Sequence, residues 1–239
     1  MSKKNESLYI VMPAYNEEDT IENTIKQWYP ILSLGNTESR LVIVNDGSKD
    51  ITLSILNRLS LDYPKLVVLD KPNSGHGPTV LYAYRYALSK KADWIFQTDS
   101  DGQTLPEEFQ QFWDCKDSYD MVIGCRLTRT DGVFRLITTR SLRLLILIIF
   151  GVYVKDANLA YRLMQHNALE DCLKYISQDY FLANVMLSIV FAKKRKKICW
   201  IPTTVIPRQG GVNSIFAPQI IKIGFHALRD FFDLRKVLR

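Results

Sequence analysis

The sequence predicts an α/β fold, a mostly parallel sheet flanked by helices, and three observations predict it. Short apolar runs at 8–12, 40–44, 66–69 and 94–98 read as strands buried on both faces. Stretches of helical periodicity at 16–32, 50–61 and 76–90 separate them. Polar and glycine-bearing turns close the runs, and this strand–helix alternation builds a parallel sheet with helices on both sides.

Taken in order, Leu8-Tyr9-Ile10-Val11-Met12 is a continuous apolar run ended by Pro13. The helical pattern at 16–32 begins with Glu17, Glu18 and Asp19, where the helix dipole favours acids. Arg40-Leu41-Val42-Ile43-Val44 is stopped by Asn45-Asp46-Gly47-Ser48, and a second helix follows at 50–61. Leu66-Val67-Val68-Leu69 leads through the turn Asn73-Ser74-Gly75 into a third helix at 76–90. Trp94-Ile95-Phe96-Gln97-Thr98 makes the fourth strand and ends at Asp99. Beyond Asp101 the pattern changes. Helices are expected at 107–113, 135–150, 169–192 and 218–239, strands at 121–124 and 198–202, a polar loop at 128–132 and a flexible turn at 208–211.

With 239 residues the chain can bury a substantial core, and its 47% hydrophobic and 23% charged content is that of a folded protein. The net charge of +6 suits phosphate-bearing ligands or an anionic membrane surface, and is too diffuse to indicate nucleic acid. Cys115, Cys125, Cys172 and Cys199 show no metal-binding spacing, which favours buried thiols in a reducing compartment. The polar N-terminus shows no leader pattern. The apolar stretch 144–154 is far short of the ~20 residues a membrane-crossing helix needs. A cytoplasmic chain, soluble or peripheral on a membrane, is the expectation.

In parallel sheets of this kind ligands gather at the carboxyl ends of the strands. Tyr15-Asn16-Glu17, Asn45-Asp46 and Asp99-Ser100-Asp101 all fall there. If the backbone is extended at Asp99-Ser100-Asp101, the two carboxylates point the same way, because side chains alternate along a strand. Such a pair is a hard-oxygen site for Mg²⁺ or Mn²⁺ bridging a diphosphate, with Gln103 as a further ligand or orienting group. The glycine-rich P-loop and dinucleotide fingerprints are missing, as is the serine nucleophile elbow. Gly75-His76-Gly77 is only superficially like a phosphate loop.

Together, Val11-Met12-Pro13-Ala14-Tyr15-Asn16-Glu17-Glu18, Val44-Asn45-Asp46-Gly47-Ser48-Lys49-Asp50 and Gln97-Thr98-Asp99-Ser100-Asp101-Gly102-Gln103 resemble glycosyltransferase family 2, an inverting family with the GT-A fold. Gly124-Cys125-Arg126, the stretch 154–162 and Ile201-Pro202 followed by Arg208 extend the likeness to the dolichyl- or polyprenyl-phosphate sugar synthases. The resemblance implies a donor pocket of Pro13, Ala14, Tyr15 and Glu17, with Asp46 accepting from the base and Ser100 beside it. It implies Asp99, Asp101 and Gln103 at the metal. Arg126, Arg140 and Arg208 would face donor or acceptor phosphate, with Asp156 and Arg162 organising the acceptor side; a guanidinium fork suits phosphate. Where the branch carries a small-Gly-Phe-Arg stretch, this chain has Asn158-Leu159-Ala160-Tyr161-Arg162, which alters the expected acceptor pocket.

These readings divide one compact catalytic domain into a nucleotide-sugar half (1–103), an acceptor half (104–215) and a C-terminal amphipathic helix (216–239). The expected reaction moves a sugar from a UDP- or GDP-sugar to a polyprenyl phosphate. A sugar-hydroxyl acceptor would instead need a base, and Asp179, at the start of an apolar helix, is the candidate. A non-catalytic nucleotide-binding scaffold is the rival of a different class. Residues 144–150 are expected in the core. The closing helix could dock on the body, lie on a membrane or form a homodimer. The basic run 193–197 could touch anionic lipid.

Overall fold

The computed structural model describes residues 5–126, 133–207 and 217–238. The expected loop at 128–132 and the turn at 208–211, with Arg208, lie outside them. Seven strands form one sheet: β1 (Leu8–Ala14), β2 (Arg40–Asn45), β3 (Leu66–Asp70), β4 (Trp94–Thr98), β5 (Met121–Arg126), β6 (Tyr161–Gln165) and β7 (Ile198–Thr203). Their order is β3-β2-β1-β4-β6-β5-β7. Only β6 runs against its neighbours, so β1, β2, β3, β4, β5 and β7 all end on the same rim.

The helices are α1 (Ile21–Trp28), α2 (Thr52–Asp62), α3 (His76–Ser89), α4 (Phe109–Cys115), α5 (Val133–Phe150), α6 (His166–Leu173), α7 (Ala183–Lys193) and α8 (Ala217–Val237). Alternation along the strands sorts them into two cores. Leu8, Ile10 and Met12 of β1 face α1, α2 and α4, while Tyr9 and Val11 face α3 and α7. On the first face Trp28, Phe96, Phe109 and Tyr161 interlock, with Phe96 4.6 Å from Phe109 and 4.8 Å from Tyr161 in edge-on contacts. On the second face α7 is buried from Ala183 to Phe191, so its apolar sequence has no solvent side.

Several elements differ from the sequence expectation. The helix expected at 16–32 starts only at Ile21 and gives way to a 3₁₀ turn at Tyr29–Leu34. The backbone before it is satisfied by the neighbouring loop instead: Asn16 N donates to Ser48 Oγ (3.0 Å) and Glu17 N to Thr52 Oγ1 (2.9 Å). The acids Glu17, Glu18 and Asp19 therefore precede the helix rather than fill its first turn. The helix expected at 169–192 is two helices, α6 and α7, with residues 174–182 between them. Strand β6 carries an arginine as its second residue, which hid it among the motif residues.

The stretch expected in the core at 144–150 is split lengthwise. Ile146, Ile149 and Phe150 are buried, whereas Leu144, Leu147 and Ile148 are 57%, 45% and 68% exposed. On α8, Ala227, Phe231 and Leu234 are buried, and Phe231 meets Phe150 of α5 edge-on at 5.7 Å. At these three positions the closing helix docks on the body of the chain. Among the described residues no helix is long and apolar enough to cross a membrane.

Candidate active site

The ends of β1, β2 and β4 are laced into one rim. Asp46 N donates to Ala14 O (2.8 Å), and Ser100 Oγ to Pro13 O (2.8 Å). Thr24 Oγ1 on α1 donates to Ser100 O (3.1 Å), pinning the loop after β4. β4 ends at Thr98 and the chain bends at 100–102, so the extended backbone expected at Asp99-Ser100-Asp101 is not what is observed; Ser100 is buried and Asp99 and Asp101 on either side are partly open. Gln103 N donates to Asp101 Oδ1 (3.2 Å), and its Nε2 to Ile206 O (3.1 Å).

Asp46 is 3% exposed and holds the next loop: Ser74 N and Gly75 N donate to its two oxygens at 2.9 Å, and Lys71 Nζ pairs with Oδ1. The 71–75 loop delivers α3 to the rim, where His76 Nε2 lies 3.1 Å from Asp99 Oδ1. Burial works against its protonation, but the carboxylates of Asp99, Asp101 and Asp46 outweigh that and raise its pKa above the ordinary histidine value.

Among the described residues no three His, Cys, Asp or Glu side chains are grouped to hold a metal alone. The donor set still fits one. Mg²⁺ and similar hard cations are commonly held by one or two carboxylates, with substrate phosphate oxygens and water completing the shell. Asp99 and Asp101 supply that carboxylate pair.

Two strands along the same rim from β4, a distance of about 10 Å, β5 ends at Arg126. A pocket of about 240 Å³ opens there, lined by Cys125, Arg126, Arg143, Tyr153, Lys155 and Asp156. Arg126 Nε lies 4.0 Å from Asp156 Oδ2, and neither Arg126 Nε nor Arg143 Nε has a hydrogen-bond partner although both atoms are buried. Among the described lining residues three cations face one buried carboxylate, an excess of positive charge suited to a phosphate.

Several expected site residues stand elsewhere. Arg162 is fully buried, so it does not face a phosphate. Its guanidinium donates to the carbonyls of Leu159 (2.8 Å), Ala157 (2.5 Å) and Asn184 (2.7 Å) and to Ser188 Oγ (2.9 Å). Burial lowers its pKa to about 10. Arg140 is exposed on the outer side of α5, and Arg143, three residues on, lines the pocket instead. Glu17 is buried and accepts from Thr20 Oγ1 (2.8 Å), and Ser100 anchors Pro13, so both support the donor rim from beneath. Pro13 and Ala14 are likewise buried, and Tyr15 is the open side chain of that group.

Asp179 is not in a helical first turn; it is exposed in the loop ahead of α7. That loop nonetheless reaches the rim. A Cβ on Gly77 would fall 2.3 Å from the carbonyl oxygens of Tyr180 and Phe181, so the loop backbone rests on the first turn of α3. His76, Arg143 and Lys155 are the members that sequence reasoning did not select. The glycine-flanked histidine after the third strand and the basic start of the fifth helix were their signals.

The rim thus carries paired carboxylates at the end of one strand and a cationic pocket two strands away. Residues 9–167 match Glycosyl transferase family 2, and the chain belongs to that family. It is 24% identical over 192 residues to the undecaprenyl-phosphate 4-deoxy-4-formamido-L-arabinose transferase of Pectobacterium atrosepticum, covering 79% of this chain and 57% of that one. It is 23% identical over 209 residues to the UDP-N-acetylglucosamine–dolichyl-phosphate N-acetylglucosaminyltransferase of Methanococcus voltae, covering 79% and 81%. The chain thus spans little more than half the length of the bacterial relative. Its fold is that of glucosyl-3-phosphoglycerate synthase from Mycobacterium tuberculosis, solved with Mn²⁺ and UDP: the TM-score is 0.67 at 17% identity, over 99% of this chain and 81% of that one. The GT-A architecture expected from the motifs is the one observed.

Proposed function

We propose that this glycosyltransferase moves a sugar, with inversion, from a UDP- or GDP-sugar to a polyprenyl phosphate. The observation that carries this reading is the pocket of Arg126, Arg143 and Lys155 on the same rim as Asp99 and Asp101. It offers an acceptor phosphate a place beside the donor. The bacterial and archaeal relatives, named for undecaprenyl and dolichyl phosphate, support the same acceptor class.

The residues divide the work. Tyr15 and Asp46 hold the nucleoside, with Pro13, Ala14, Glu17 and Ser100 shaping the loop beneath it. A divalent ion, Mg²⁺ or Mn²⁺, held by Asp99 and Asp101 supplies Lewis-acid stabilisation of the leaving diphosphate. Gln103 keeps Asp101 and the segment at Ile206 in register. Arg126 and Arg143 orient the acceptor phosphate, which is ionised near neutral pH and needs no base to attack.

The lipid reading also gives a use to the outer face of α5. Leu144, Leu147 and Ile148 form an exposed apolar stripe with Arg140 at its N-terminal end, and the cationic pocket is lined from the same helix. A bilayer surface containing anionic lipid matches both features, and the chain would sit peripherally on it.

The test is transfer of label from UDP- and GDP-sugars to undecaprenyl phosphate in mixed micelles with Mn²⁺. Arg126→Ala and Arg143→Ala should each cut transfer while leaving nucleotide binding intact; equal loss of both would refute the acceptor assignment. A second reading, transfer to a sugar hydroxyl, is favoured by the contact that brings the Asp179 loop onto α3. Abolition of transfer by Asp179→Asn with donor binding retained would decide for it.

A further inference from the structure

His76 is the first residue of α3, and the backbone on both sides of it is fixed. Before it stands Gly75 with φ +90°, in the region that favours glycine, and its N–H is bound to Asp46 at 2.9 Å. After it stands Gly77, against which the carbonyls of Tyr180 and Phe181 rest. The imidazole is thereby aimed across the rim. Its Nε2 meets Asp99 Oδ1 at 3.1 Å, yet about half of the side chain (49%) stays open, as does 35% of that of Asp99. An ionised carboxylate only accepts hydrogen bonds, so Nε2 carries the proton in this contact.

We propose that His76 is a donor-binding residue whose Nε2–H hydrogen-bonds a phosphate oxygen of the nucleotide-sugar diphosphate. The inference rests on the reading of Asp99 and Asp101 as the metal–diphosphate site. A donor group already within hydrogen-bond reach of one of those carboxylates, with free surface beside it, lies one hydrogen bond from an oxygen brought against that carboxylate. In the transfer an acceptor oxygen forms the new bond to the anomeric carbon. The bond from that carbon to the diphosphate breaks, and its electron pair stays on the diphosphate oxygen. Negative charge on the leaving group therefore grows as the reaction proceeds, and a fixed N–H directed at it strengthens toward the transition state. Asp99 has a double part in this arrangement: it belongs to the carboxylate pair and orients the imidazole.

The test measures binding of UDP, GDP, UMP and GMP to the full chain in Mn²⁺ by calorimetry, for the native protein, His76→Ala and His76→Gln. His76→Ala should weaken the preferred nucleoside diphosphate by about tenfold or more, the range of a charge-assisted hydrogen bond. The matching monophosphate should bind as before. His76→Gln, which keeps an N–H donor of similar reach, should recover most of the affinity. Free Mn²⁺ measured by electron paramagnetic resonance without nucleotide should titrate alike in all three proteins. Unchanged diphosphate affinity in His76→Ala overturns the proposal. So does loss of nucleotide-free Mn²⁺ binding in that variant, which would make His76 a metal ligand instead. A native chain that binds neither diphosphate overturns the donor-site reading itself and this proposal with it, an outcome distinct from the other two.

Discussion

Arg162 Nη1 donates across 2.7 Å to the backbone carbonyl of Asn184, tying the start of β6 to the first turn of α7. The same guanidinium holds Ala157 and Leu159, so one buried side chain joins the segment beside the cationic pocket to the helix that follows the Asp179 loop. Arg162→Ala would remove the guanidinium donors of the Leu159, Ala157 and Asn184 carbonyls, leaving Ser188 Oγ to serve only the last two, and open a cavity. We expect it to cost about 3–5 kcal/mol of folding stability, measured by urea denaturation. Arg162→Lys should recover little, because an ammonium cannot span the same fork of acceptors. A loss below about 1 kcal/mol for the alanine variant would contradict this role.

The carboxylate pair gives a second expectation. Asp99→Asn and Asp101→Asn should each lower metal-dependent transfer by about 100-fold or more, with the fold intact by circular dichroism. EDTA should abolish activity in the native chain, and Mn²⁺ or Mg²⁺ should restore it. Activity insensitive to EDTA would rule out the assignment.

Gly77 tests the contact between the two sides of the site. In Gly77→Ala the new methyl group meets the carbonyls of Tyr180 and Phe181, both backbone atoms that cannot rotate away. We expect a stability loss of about 1–3 kcal/mol, as in other overpacked sites. Slower transfer should accompany it as the loop bearing Asp179 shifts, whereas a melting temperature and rate equal to the native values would show that the loop yields freely.

Histidine 76 should also leave a mark on stability as pH changes. Burial opposes its charge, but the surrounding carboxylates prevail, so its folded pKa lies above the unfolded value near about 6.5. A raised folded pKa stabilises the protein fully below the unfolded value, and the contribution is lost as pH rises through the folded one. In EDTA, the melting temperature of the native chain relative to His76→Gln should therefore fall as pH rises above the unfolded histidine value of about 6.5. A constant difference would mean that the imidazole stays neutral throughout.

Neighbouring residues on α5 should respond in opposite ways. Ile146 is fully buried, and Ile146→Ala should cost about 2–5 kcal/mol. Leu147 and Ile148 are exposed, so Leu147→Ser and Ile148→Ser should change stability by no more than about 0.5 kcal/mol. If α5 lies on the bilayer, the pair of serine changes should release the protein from sedimenting vesicles containing anionic lipid. Retention equal to that of the native chain would exclude this face.

The parallel strands were legible because burial on both faces demands an unbroken apolar run, and 8–12, 40–44, 66–69 and 94–98 supply it. The carboxylates at Asp99 and Asp101 were legible for a related reason, since they stand where such a run stops. Strand β6 was not, because Arg162, its second residue, is satisfied by the distant carbonyls of Ala157, Leu159 and Asn184 and by Ser188 Oγ. Helix α1 was read too long, because the loop at 48–52 takes the backbone N–H groups of Asn16 and Glu17.

By itself, then, the sequence determined the first four strands, the rim at their carboxyl ends, and the acidic pair that stands there. These depend on local pattern: apolar period, turn residues and charge at strand ends. The tertiary structure alone decided that Arg162 is buried, that Arg143 rather than Arg140 lines the pocket, and that His76 meets Asp99. Each of these depends on where a side chain points after distant segments pack, and chain spacing carries no record of that direction.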